Sequence, residues 1–104
     1  MQNPNYKEIE KLNKMLNVTG IQHTITRLFD GWQVIYYYNG KRIADAIQHC
    51  YSYGANDDLL EISGLLTEEE ARHDSVLGYV SAAETFQRII SDFLARRLRE
   101  MTAK

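Results

Sequence analysis

A chain of 104 residues, 44% hydrophobic and 25% charged, suits one compact α+β domain over residues 1–104 with a single core. The lone Cys50 excludes an internal disulfide, and no apolar run approaches the roughly 20 residues of a membrane helix. A net charge of −2 argues against a large phosphate-binding footprint, so neither a membrane nor a nucleic acid is an expected partner.

Asn3 and Pro4 read as a helix cap and first helical position, and Tyr6, Ile9, Leu12 and Leu16 recur at helical spacing until Gly20. The spacing predicts an amphipathic helix over 4–17. The segment MQNPNYKEIEKL has no apolar stretch of the signal-peptide kind, and a cytoplasmic location is expected.

Two hairpin signals follow, Asp30-Gly31 and Asn39-Gly40, each suited to a two-residue turn with positive φ. They predict a three-stranded antiparallel meander over 22–29, 32–38 and 41–49. Two-residue turns at 30–31 and 39–40 fix the register: Phe29 faces Trp32, Ile25 faces Tyr36, Tyr36 faces Ile43, and Val34 faces Asp45. One face then collects Ile25, Phe29, Trp32, Val34, Tyr36, Ile43 and Ile47, a core face for helices to cover. The other collects Thr24, Thr26, Leu28, Gln33, Ile35, Tyr37, Arg42, Ala44, Ala46 and Gln48. Tyr36 and Tyr37 must point to opposite faces, so the run Tyr36-Tyr37-Tyr38 cannot form one stacking platform. Tyr37, beside Arg42, is its outward-facing member. Arg27 and Asp45 fall in one row across Val34, either as a structural ion pair or as the wall of a pocket between sheet and helices.

Beyond the loop around Gly54, DLLEISGLL (58–66) reads equally as a helical turn or a short strand. Thr67 and Glu70 form a capping-box pattern for a short exposed helix, and Ser81 and Glu84 repeat it. Phe86, Ile89, Ile90, Phe93, Leu94, Leu98 and Met101 then form a wide apolar stripe on a helix over 82–101. That helix outruns a three-stranded sheet. A projecting end beside Arg96, Arg97 and Arg99 suits a homodimer contact or another protein.

Charge is unevenly spread. Residues 57–74 carry a net −6 through Asp57, Asp58, Glu61, Glu68, Glu69, Glu70 and Asp74, between ends of +2 each. Such a run is a solvated face or a docking surface for a basic partner.

The chemistry-bearing residues offer little catalytic pattern. His49 and Cys50 are neighbours on a strand and diverge, and no zinc-ligand spacing or glycine-rich phosphate loop occurs, so no metal or cofactor is expected. Asp57, Asp58 and Glu61 form a carboxylate cluster that a metal-dependent hydrolase would use. Arg27, Asp45, Tyr36 and His49 are the candidate lining of a small-ligand pocket, which would make the chain a binding domain or sponge for a nucleotide signal.

As a set, YKEIEKLNKML, LFDGWQVIY, AIQHCYSYG, DLLEISGLLTEEE and DSVLGYVSAAETFQRI resemble a group of uncharacterised small phage and prophage proteins of Gram-positive bacteria. The resemblance covers about residues 6–90, and the chain beyond looks like an extension. It implies a viral accessory context in the bacterial host's cytoplasm and brings no catalytic residue with it. The leading expectation is a non-enzymatic protein that binds a basic host protein, as an inhibitor of an antiviral defence system would. Its contact residues would be the seven acids of 57–74 together with Tyr37 and Arg42.

Overall fold

The structure, a computed structural model, describes residues 5–103. The chain runs α1 (Lys7–Thr19), β1 (His23–Leu28), β2 (Gly31–Tyr38), β3 (Lys41–Gln48), a 3-10 turn at Ala55–Asp57, β4 (Leu60–Ser63), α2 (Glu68–His73), β5 (Val76–Val80) and α3 (Ala82–Thr102). The meander thus has five antiparallel strands in chain order, rather than the three expected. The ambiguous segment 58–66 supplies β4, and VLGYV, to which the sequence pattern assigned no element, supplies β5.

α1 begins at Lys7, later than the spacing suggested, and the expected cap at Asn3 and Pro4 lies outside the described residues. Its first turn is capped from a distance. Asp58 Oδ1 accepts the backbone N–H groups of Lys7 and Glu8 at 3.0 and 3.3 Å. Gly20 ends the helix in the left-handed conformation (φ 71), as expected. α2 has the anticipated capping box, and Ser81 caps α3 by accepting the Glu84 N–H.

The hairpins depart from the expected register in two places. The first turn sits on Phe29 and Asp30, with Leu28 paired to Gly31 and Arg27 to Trp32. Positive φ falls on Phe29 (φ 54), and Gly31 is there for another reason: a Cβ on it would lie 1.8 Å from the Gln48 carbonyl oxygen of β3. Phe29 therefore leaves the core face and is 64% exposed.

The second turn, at Asn39-Gly40, has the expected positive φ at both residues and pairs Tyr38 with Lys41. The ladder then slips between Tyr36 and Tyr37, so that Tyr37 pairs with Arg42 but Tyr36 with Ala44. Ile43 is the extra residue of a β-bulge, and beyond it every side chain of β3 changes face. Ala44, Ala46 and Gln48 turn to the core face. Asp45 and Ile47 turn away from it, opposite Ile35 and Gln33. The size of the side chains explains the choice. Leu12, Tyr36 and Ile89 converge over this part of β3, and only alanines leave them room.

One buried cluster joins Ile9, Leu12 and Leu16 of α1 to Val34 and Tyr36 of β2, Ala44 and Ala46 of β3, Leu60 and Ile62 of β4, Val80 of β5, and Ala82 and Ile89 of α3. Two of its buried polar groups are matched, while the buried Tyr38 hydroxyl has no hydrogen-bond partner among the described residues. Gln48, fully buried, accepts the Ile9 N–H and donates to Asp58, and Tyr36 Oη donates to Asp92 at 2.9 Å. α3 outlasts this core: Leu94, Leu98 and Met101 are 53%, 60% and 70% exposed. No helix among the described residues is long and apolar enough to cross a membrane.

Candidate interaction surface

The pocket residues expected from sequence do not converge. Tyr36 is inside, bonded to Asp92. Asp45 is on the other face of the sheet, accepting from Gln33 at 2.9 Å and standing 3.5 Å from Arg42. Arg27 pairs instead with Trp32, its guanidinium 4.8 Å from the indole centre. The expected row Arg27–Val34–Asp45 is broken twice: the shifted first turn sets Ile25 opposite Val34, and the Ile43 bulge sets Ala46 opposite it. His49 is buried beneath the Phe29 ring, 4.8 Å between centroids. The pocket lined by Leu12, Val34, Tyr36, Ala44 and Ile89 offers about 10 Å³, room for no more than one water.

The acidic segment divides into structural and free carboxylates. Asp58 caps α1 and holds Gln48. Glu61 accepts the Tyr53 backbone N–H at 2.9 Å. Glu70 closes the α2 capping box and takes two hydrogen bonds from Arg88, which lower its carboxyl to about 2. Asp74 accepts the N–H of Ser75. Asp57, Glu68 and Glu69 are exposed. Among the described residues no three His, Cys, Asp or Glu side chains stand together as a metal ion would need.

Tyr37 is half-buried and pairs across the sheet with exposed Arg42, as the sequence suggested, while Tyr36 and Tyr38 are buried. The exposed aromatic residues lie elsewhere. Phe29 meets Tyr51 edge-on at 5.0 Å, and Tyr51 is 74% exposed. Two residues along the same loop, Tyr53 is 57% exposed and accepts the Tyr79 N–H on its carbonyl. Tyr79 itself is 64% exposed, at the irregularity where Leu60 pairs with Val80 but Ile62 with Leu77. Close backbone approach builds this corner. A Cβ on Gly78 would be 2.4 Å from the Tyr53 Cβ, and one on Gly54 2.8 Å from the Tyr79 nitrogen.

Phe29 and Tyr79 share an unusual backbone. Both are bulky, both are exposed, and both hold positive φ, at 54° and 60°. That conformation costs an L-residue about 1–2 kcal/mol, which glycine avoids. Neither side chain recovers the cost by full burial.

Carboxylates border the aromatic strip. Asp30 accepts the Tyr6 hydroxyl and the Cys50 N–H, both at 2.8 Å. Desolvation pushes the Asp30 carboxyl up, but these two donors outweigh it and leave the group below its ordinary value. The Cys50 thiol is shifted the other way, upward, by desolvation and then by Asp30, which is the reverse of what a nucleophilic thiolate needs. Asp57 lies on the connection between β3 and β4, and Glu61 is the second residue of β4.

Sequence reasoning placed Phe29 in the core and passed over Tyr51, Tyr53 and Tyr79. The available signal was CYSYG: two tyrosines at alternate positions in a segment ending in glycine, where a loop and not a core was expected. Comparison with family models, curated proteins and solved structures finds no match for this chain.

Proposed function

We propose that this protein works by binding another protein, with the strip Phe29–Tyr51–Tyr53–Tyr79 as its contact centre and Asp30, Asp57 and Glu61 as its rim. The observation that carries the reading is the pair of exposed aromatic side chains on left-handed backbone. Tyrosine and phenylalanine give large contact area at low entropic cost, and an acidic border selects a basic partner surface. In this reading both long helices pack on the sheet face bearing Val34, Tyr36, Ala44 and Ala46. The opposite face, with Ile35, Tyr37 and Arg42, stays open as a secondary contact area.

The sequence resemblance supplies the setting: a phage-type accessory protein in the cytoplasm of its bacterial host, directed at a basic protein of an antiviral defence system. A ligand sponge is less well supported, because Arg27, Asp45, Tyr36 and His49 point into four different surroundings. A metal-dependent hydrolase is less well supported again, because Asp58 and Glu61 are spent on backbone N–H groups.

The test is capture of a partner by the immobilised protein, followed by titration with the purified partner. Phe29→Gly and Tyr51→Ala should each weaken binding at least about tenfold, the scale of interface hot spots. Reversal of Glu68 and Glu69 together should change it far less. Equal binding by wild type and both aromatic variants would overturn the assignment of the surface.

A further inference from the structure

α3 has a second apolar face that the fold leaves uncovered. At 100° per residue, the side chains turned into the core (Thr85, Ile89 and Phe93) occupy one side of the helix. Leu94, Leu98 and Met101 line another side, well over a quarter-turn away, and are more than half exposed, while Ile90, at the N-terminal end of this stripe, is half-buried against the core. Next to the N-terminal half of this second stripe runs an open groove of about 480 Å³, lined by Leu65 and Leu66 and by Glu84, Gln87, Arg88, Ser91 and Asp92, with Arg88 already bonded to Glu84 and Glu70. Arg88 ties α2 to this side of the helix, so the exposed Glu68 and Glu69 stand beyond the groove. The C-terminal half of the stripe is bordered instead by exposed Arg97 and Arg99, which outnumber Glu100, itself bonded to Asn39.

We propose that a second copy of this chain covers that face, with the two α3 helices antiparallel and crossing at Leu94. The two ends of the seam carry opposite charge, acidic at the groove and basic at the projecting tip. A copy turned end for end therefore matches both ends at once. A parallel pair would set Arg97 and Arg99 against their own counterparts. Crossing at Leu94 brings Ile90 against Leu98 of the other copy and Gln87 against Met101. Each projecting tip then lies over the other copy's Leu65–Leu66 groove, with Arg99 on the side facing Glu84. The contact is isologous and closes as a two-fold dimer. It does not depend on the aromatic strip, which lies on other elements.

Sedimentation equilibrium and cysteine crosslinking test this together. At low salt the protein should sediment at twice 12.1 kDa, with affinity falling as salt rises. Leu98→Glu and Arg99→Glu should each weaken association at least about tenfold while leaving the circular dichroism spectrum unchanged, since both residues are exposed. In a Cys50→Ser background, Leu94→Cys should form an intermolecular disulfide under mild oxidation and Met101→Cys should not. A monomer at hundreds of micromolar overturns the proposal. So does a dimer untouched by Leu98→Glu, and so does Met101→Cys linking as readily as Leu94→Cys, which is the mark of a parallel pair. Phe29→Gly should leave the dimer intact, so failure of the partner-binding reading and failure of this one are told apart.

Discussion

The Arg88 guanidinium holds the Glu70 carboxylate by two parallel hydrogen bonds, at 2.7 and 2.8 Å, and so fastens α2 to α3. Arg88 also donates to the Leu65 carbonyl and to Glu84, which makes it the joint of this side of the molecule. Glu70 is held at about 2 from an ordinary 4.5, first by Arg88 and then by the Thr67 N–H. A carboxyl lowered by folding contributes stability that is present above its unfolded pKa and disappears as the pH falls toward its folded one. Urea titrations should therefore show a loss of stability between about pH 4.5 and 2 that Arg88→Met removes in large part. Parallel curves for wild type and Arg88→Met across that range would mean that the pair contributes nothing to acid stability.

Asp58 accepts three donors on one oxygen: the N–H groups of Lys7 and Glu8, and the Gln48 amide at 2.7 Å. It replaces the local side-chain cap that Tyr6 cannot provide. Asp58→Ala should cost about 1–2 kcal/mol, the loss of a helix cap, and Asp58→Asn clearly less, because asparagine tolerates the left-handed backbone at this site (φ 53) and keeps an acceptor. Urea unfolding would measure both. An alanine variant as stable as wild type, with a changed heat of Mg²⁺ binding, would return Asp58 to the metal-site reading.

Two glycines beside turns have opposite roles, and substitution separates them. Gly40 holds φ 78 in open space, so Gly40→Ala should cost about 1 kcal/mol through backbone strain alone. At Gly31 a methyl group would overlap the Gln48 carbonyl of β3, and neither strand can retreat without breaking the sheet. Gly31→Ala should cost more than about 3 kcal/mol or prevent folding. Similar unfolding midpoints for the two variants would show that β2 and β3 do not approach this closely.

The elements that were legible in the sequence are those whose signals are local. α1 and α3 follow from apolar spacing, α2 from Thr67 and Glu70, and the second hairpin from Asn39-Gly40, because each depends on residues within a turn or two. The first hairpin misled because a glycine after an aspartate has two explanations, positive φ or close approach, and only the position of β3 decides between them. β3 misled because an inserted residue leaves no mark on a period-two pattern. KRIADAIQ places its isoleucines inward by hydrophobicity, yet the helix side chains above need the alanines. β5 is five residues around Gly78 and has no identity until β4 is beside it. The candidate surface was illegible for the same reason: Phe29 looks like core until the turn is shifted by one residue.

Glycine at the strained aromatic positions is the sharpest test of what Phe29 and Tyr79 are for. If they serve the fold, Phe29→Gly should lose the contacts of its ring with His49 and Tyr51, which stand 4.8 and 5.0 Å away, and Tyr79→Gly should loosen the β4–β5 pairing. If they serve a partner, relief of the left-handed backbone offsets those contacts, and stability should stay level or rise by up to about 1 kcal/mol in each variant. The two outcomes differ in sign, and thermal and urea unfolding can resolve them without knowledge of the partner. A loss beyond about 2 kcal/mol in both variants would make these rings packing residues, because a side chain that the fold itself requires gives no reason to look for anything docked upon it.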